Sequence, residues 1–168
     1  MLTRNVSEKS RVYIQEKELK KGSLPMTDWE IVEEHIQNME EAITQLIKYR
    51  NIPMDEFEKD LSLIWAVEKG LEILIQNLLD IGAHILASEI KNDWQDYGEV
   101  IIKLGKHGVI PQEFSDQIKG MAGLRNILIH EYLRVDRKKL IDYLRYRLED
   151  FVQFIRYIRV YQGKPLKK

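Results

Sequence analysis

Apolar residues recur at every third or fourth position along most of this chain, and no strand pattern interrupts them. That rhythm restricts the fold to packed helices. Trp29, Val32, Ile36, Met39, Ile43 and Leu46 make one narrow inward stripe, which Asn51-Ile52-Pro53 ends. Leu61, Ile64, Val67, Leu71, Leu74, Leu78, Ile81 and Ile85 make a longer one. Trp65, Ile75, Leu79 and Leu86 widen its apolar surface, which predicts a helix that is central or that also meets a second subunit. Ala66, Gly70, Ala83 and Ala87 let neighbours approach closely.

The punctuation between stripes sets the order of helices. Thr27 or Asp28 caps the first, with Glu30 placed for a Thr27 capping box. Met54 or Asp55 opens the second, Lys91 to Asp96 is a loop, and Val100, Ile101 and Leu104 mark a short third helix. Gly105 and Gly108 supply a turn, and Pro111 suits the first position of a helix running to Tyr132. Asp136 caps the last helix, whose packed side is Ile141, Leu144, Leu148, Phe151, Ile155 and Ile158, and Gly163-Lys164-Pro165 stops it. The expected fold is all-α, an antiparallel bundle of about five helices that forms a homodimer. Residues 1–26 read as an N-terminal extension, 27–162 as the bundle domain and 163–168 as a basic tail.

With 168 residues there is enough chain for one domain with a real core. The absence of cysteine removes a disulfide framework and any thiolate zinc site. No run of apolar residues reaches the length of a membrane span and no continuous apolar stretch opens the chain, so a cytoplasmic protein with no membrane contact is expected. The net charge is −1, yet Met121 to Lys168 holds 12 Lys and Arg against 5 Asp and Glu, while the remainder holds 14 against 22. A basic third on an acidic protein favours a surface that faces nucleic acid. The plainer explanation is that Arg134, Arg137, Lys138, Lys139, Arg145 and Arg147 are the solvated side of the last helix.

Chemistry concentrates between Met121 and Tyr132. Phe114, Ile118, Met121 and Leu128 form an inward stripe in which Arg125 takes an apolar residue's place. A guanidinium on a buried seam needs a carboxylate, a phosphate or a wet cleft. At about 100 degrees per residue, Tyr132 falls close to Arg125, Asn126 and His130 share a face, and His130 lies roughly 140 degrees from Arg125. Arg125 and His130 can serve one phosphate if the helix unwinds near His130 or if two copies of the segment meet.

Arg125-Asn126, three apolar residues and then His130-Glu131-Tyr132 resemble the Arg-x4-His-x-Tyr signature of the HEPN superfamily, specifically its HepT-like toxins, which are paired with minimal nucleotidyltransferase antitoxins. Asp80-Ile81-Gly82-Ala83-His84 and Gly108-Val109-Ile110 extend the resemblance, which runs from about Thr27 to Tyr161. It implies a homodimeric endoribonuclease of a type VII-like toxin–antitoxin system. It also implies that Tyr132 is the acceptor on which the antitoxin places AMP groups, which would fill the phosphate site beside Arg125 with charge and bulk.

The residues themselves suit that activity. A ribose 2′-hydroxyl already stands beside the phosphate it can attack, so cleavage needs only proton transfer and charge neutralisation. An imidazole suits the first task and a two-pronged guanidinium the second, with Asn126 orienting either. The candidate catalytic residues are therefore Arg125, Asn126 and His130, acting on RNA without metal or cofactor. His35, His84 and His107 read as structural or surface residues. The alternative is a non-catalytic subunit that binds a nucleotide or RNA for the nucleotidyltransferase.

Overall fold

The computed structural model describes residues 28–90, 94–130 and 135–163. The whole 1–26 extension, Thr27 and its capping box, Lys91 to Asp93 of the expected loop, Tyr132, Arg134 and the tail from Lys164 lie outside them. In chain order the helices are α1 (Asp28–Ile47), α2 (Met54–Lys59), α3 (Leu61–Ile85), α4 (Tyr97–Lys106), α5 (Gln112–Ile118), α6 (Met121–Ile129), α7 (Arg137–Tyr146) and α8 (Leu148–Tyr161), with a π-helical turn, Leu86–Ile90, continuing α3. Among the described residues the chain is all-helical, as its apolar spacing predicts.

The central pair is α1 and α3, packed antiparallel. His84 near the end of α3 reaches Asp28 at the start of α1, with Nε2 and Oδ1 3.1 Å apart, while Gly70 at the other end lies against Leu46. A Cβ on Gly70 would stand 2.5 Å from Leu46 Cδ2, so this glycine permits the close approach. Val32, Ile36, Met39, Val67, Leu71, Leu74 and Leu78 are buried along the facing stripes. At about 25 cal/mol per Å² of apolar surface, these faces outweigh helix propensity as the source of stability. Ile75, Leu79 and Leu86 are fully buried, as their widening of the stripe predicts. Trp65 is 64% exposed, one turn from Leu61, itself exposed at the first turn, so it lies outside the buried surface of the bundle.

Three of the five rods expected from sequence are broken once. Asp60 separates α2 from α3, and its Oδ1 accepts the Ser62 N–H at 2.9 Å and the Ser62 hydroxyl at 2.6 Å. Lys119-Gly120 separates α5 from α6, and Arg147 separates α7 from α8. At the last two breaks the buried stripe continues directly, whereas at Asp60 it resumes from Phe57 only at Ile64. Asp136 caps α7 as expected, accepting from Lys139 N–H at 3.2 Å, and Asp96 caps α4 through Glu99 N–H. Gly108 turns the chain after α4 with φ +71, and Pro111 is the N-cap of α5, one position ahead of its expected place.

The Leu61–Ile90 rod is long and apolar enough by length and hydropathy to cross a membrane, which the count of uninterrupted apolar residues had not anticipated. In this fold 56% of its most apolar window is buried inside the bundle. The same rod carries Gln76, Asn77, Asp80 and His84 on or beside that surface, and those polar groups position the site.

Candidate active site

The motif lies on α6, whose first turn is anchored by buried Met121 and Ala122 and whose Leu124 and Leu128 pack on the core. Arg125 is half-buried where α6 meets α3. Its Nε donates to Gln76 Oε1 at 2.9 Å, its Nη1 donates to Asn126 Oδ1 at 3.3 Å, and its guanidinium carbon sits 5.1 Å from the centre of the Tyr97 ring. No described residue bonds Nη2. The guanidinium is thus held on one edge and one face, with a terminal nitrogen left for an anion.

The carboxylate that an arginine on a seam requires is supplied at one remove. Gln76 Nε2 donates to Asp80 Oδ1 at 2.9 Å, and the Tyr97 hydroxyl donates to the same oxygen at 3.1 Å. Burial pushes the Asp80 carboxyl above the usual carboxylate range, opposed by the nearby His35, the bonds from Gln76 and Tyr97, and the Arg125 charge. Beside this network a cleft of about 540 Å³ opens between α1 and α3, lined in part by His35, Asn38, Glu41, Gln76, Asn77 and Asp80.

His130 is where the expected helix to Tyr132 stops short. α6 ends at Ile129, and His130 is its C-cap in extended geometry, φ −86 and ψ 96, with its N–H donating to the Asn126 carbonyl at 3.2 Å. The straight rod to Tyr132 is thus interrupted at His130, where the helix ends. The structure therefore joins Arg125 to Asn126 directly and places exposed His130 one turn on, tied to Asn126 through the backbone.

His35 and His84 are buried and bonded, to Asn77 Oδ1 at 2.7 Å and Asp28 Oδ1 at 3.1 Å, and His107 is the exposed C-cap of α4. Their structural or surface assignment fits this placement, although His35 also lines the cleft. Among the described residues no three of His, Asp and Glu gather to hold a metal ion.

The basic third is less open than its charge count suggests. Arg145 Nη2 donates to the Ile52 carbonyl at 2.9 Å, Arg147 bonds Asp150 and the Gln117 carbonyl, and buried Arg159 bonds Glu33 and Glu40 of α1 at 3.1 Å each. These cations tie helices together. Arg137, Lys138 and Lys139, on the exposed first turn of α7, remain for a polyanion.

Sequence reasoning missed Gln76 and Tyr97 as holders of Arg125, and met Asp80 only as part of a resemblance. The available signal was Gln76 and Asp80, four apart, cutting into the apolar run of α3.

Comparison with known proteins agrees with this geometry. The "Ribonuclease HepT-like" family profile matches residues 39–158. A protein of Aphanizomenon flos-aquae named tRNA nuclease HepT is 28% identical over 131 residues, 78% of this chain and 89% of that one. The mRNA nuclease HepT of Shewanella oneidensis is 31% identical over 104 residues, 62% of this chain and 78% of its relative. A solved structure described as the tri-AMPylated Shewanella oneidensis HEPN toxin in complex with MNT antitoxin superposes with a TM-score of 0.71 at 27% identity, covering 80% of this chain and 99% of that one. With its helices in this order and a clamped arginine ahead of a helix-ending histidine, the chain belongs to the ribonuclease HepT-like family.

Proposed function

We propose that this protein is the endoribonuclease toxin of a toxin–antitoxin pair, cutting RNA in the cytoplasm without a metal ion. The observation that carries the reading is Arg125, fixed by Gln76 and Tyr97 with Nη2 unspent, one turn before an imidazole released from the helix at His130. In this mechanism the RNA 2′-hydroxyl loses its proton and attacks the neighbouring phosphorus. The bond from phosphorus to the 5′-oxygen breaks, and that oxygen takes up a proton. His130 handles a proton, Arg125 takes the charge that grows on the phosphate oxygens, and Asn126 holds the Arg125 guanidinium in register.

One imidazole cannot be acid and base at the same instant, so a homodimer that faces two such sites supplies both. Ile127, exposed on α6 one turn before His130, suits that contact. The partner is a minimal nucleotidyltransferase antitoxin that transfers AMP to Tyr132. The added phosphates occupy the anion's place near Arg125 and silence the enzyme.

Incubating the protein with total RNA and EDTA tests the activity. Cleavage should fall at least about a hundredfold in both Arg125→Ala and His130→Ala. Intact RNA together with nucleotide binding would instead make the protein a binding subunit of the nucleotidyltransferase. Intact mass after mixing with the partner and ATP should rise in AMP-sized steps, and a rise that persists in Tyr132→Phe would rule out that acceptor.

A further inference from the structure

The cleft between α1 and α3 begins where the arginine site ends, because Gln76 belongs to both: its Oε1 holds Arg125, and its Nε2 bonds Asp80 inside the cleft. Its hydrogen-bonding polarity can be worked out group by group. The Asn77 amide nitrogen donates to the Ile73 carbonyl at 2.8 Å, and a carbonyl can only accept, so Asn77 Oδ1 must be the atom facing His35. That oxygen also only accepts, so His35 Nδ1 is the donor of this bond. Asn38 turns its Nδ2 to Asn77 Oδ1 at 3.4 Å, leaving its own oxygen as an acceptor. Asp80 receives both described bonds on Oδ1, leaving Oδ2, and Glu41 adds a carboxylate at the rim.

Apart from the His35 ring, the cleft therefore offers mostly acceptors: an amide oxygen and two carboxylates. A phosphate is repelled by that set and belongs on Arg125 instead. What the set asks for is a neutral, planar group rich in donors, lying between the apolar walls of Ala42 and Ile73. Among the parts of an RNA chain, that description fits a base carrying an exocyclic amine. Adenine, cytosine and guanine each present one, whereas uracil presents two carbonyl oxygens and a single N–H.

We propose that this cleft is a nucleobase subsite next to the scissile phosphate, selecting an amino-bearing base and rejecting uracil. The proposal rests on the ribonuclease reading above. Burial already holds the Asp80 carboxyl above its ordinary range, so a donor brought to Oδ2 relieves a group that the fold leaves short of partners. The cleft is large enough for a nucleoside and its neighbouring sugar, and the shared Gln76 sets the phosphate and the base on opposite sides of one side chain.

The test uses the full chain carrying His130→Ala, to prevent turnover, and short single-stranded oligomers of adenylate, cytidylate and uridylate followed by fluorescence anisotropy. Adenylate or cytidylate should bind about tenfold or more tighter than uridylate, the discrimination expected of one good base contact. Asn38→Leu and Glu41→Gln, both on the outer face of α1, should erase that ratio while leaving uridylate affinity unchanged. Equal binding of all three oligomers, or a preference that survives both substitutions, would overturn the subsite. If wild type still cleaves RNA in that case, the ribonuclease reading stands and only the subsite falls. If no oligomer binds and wild type cuts nothing, both fall together.

Discussion

Gln76 stands between Arg125 and Asp80, accepting from the guanidinium at 2.9 Å and donating to the carboxylate at 2.9 Å. Neutral itself, it orients a cation and an anion without letting them collapse into a direct pair. Gln76→Leu should therefore cost activity more than stability. A cleavage rate lower by about tenfold or more is expected, with unfolding free energy changed by only about 1 kcal/mol, the net worth of a typical hydrogen bond. Single-turnover cleavage beside urea melts measures both, and an unchanged rate would show that Arg125 needs no such guide.

The pH dependence of stability should carry two opposite signatures. Asp80 is held above its ordinary value by burial, so its contribution is full below the normal carboxylate range and is lost as pH rises through the raised value. Asp60, Glu99 and Glu149 are held low, by Ser62, by the Gln95 N–H and by Arg50 respectively. Their contributions are present above the normal range and are lost as pH falls through the lowered values. Asp80→Asn should accordingly gain stability relative to wild type between about pH 4 and neutrality. Thermal melts across that window decide it, since a constant offset between the two proteins would mean that Asp80 titrates normally.

Arg159 is 6% exposed and bonds both Glu33 and Glu40, fastening α8 to α1. Arg159→Leu leaves two carboxylates over an apolar residue. Because both are partly hydrated, the loss should be about 1–2 kcal/mol rather than the larger cost of a sealed pair. A denaturation midpoint equal to that of wild type would show the fastening to be idle.

The proposed homodimer gives a separate expectation. Ile127 is 40% exposed one turn before His130, so Ile127→Asp should shift sedimentation from dimer toward monomer and abolish cleavage with the fold retained. A monomeric wild type that cleaves at full rate would remove the need for paired sites.

The stripes of α1, α3 and the later helices were legible because burial follows three-four spacing so closely. The breaks at Asp60, Gly120 and Arg147 were not, because the same spacing runs on through them: Phe57 to Leu61, Ile118 to Met121, Leu144 to Leu148. Asp60 with Ser62 two residues on carried a usable cap signal, and Arg147 carried none. Arg125 announced itself as a charge in an apolar place, yet its holders come from 49 residues away on α3 and from Tyr97 on α4. Spacing along one helix cannot say which polar group of another will arrive opposite. The charge of the last third misled in a similar way, since Arg145, Arg147 and Arg159 turn out to be fasteners between helices.

The unwinding at His130 separates two demands that a single continuous helix would have coupled. The guanidinium is gripped by side chains of α3 and α4, whereas the imidazole stands where α6 itself ends. A change at the end of α6 could thus move the proposed proton carrier while the hold of α3 and α4 on the guanidinium stays as it is.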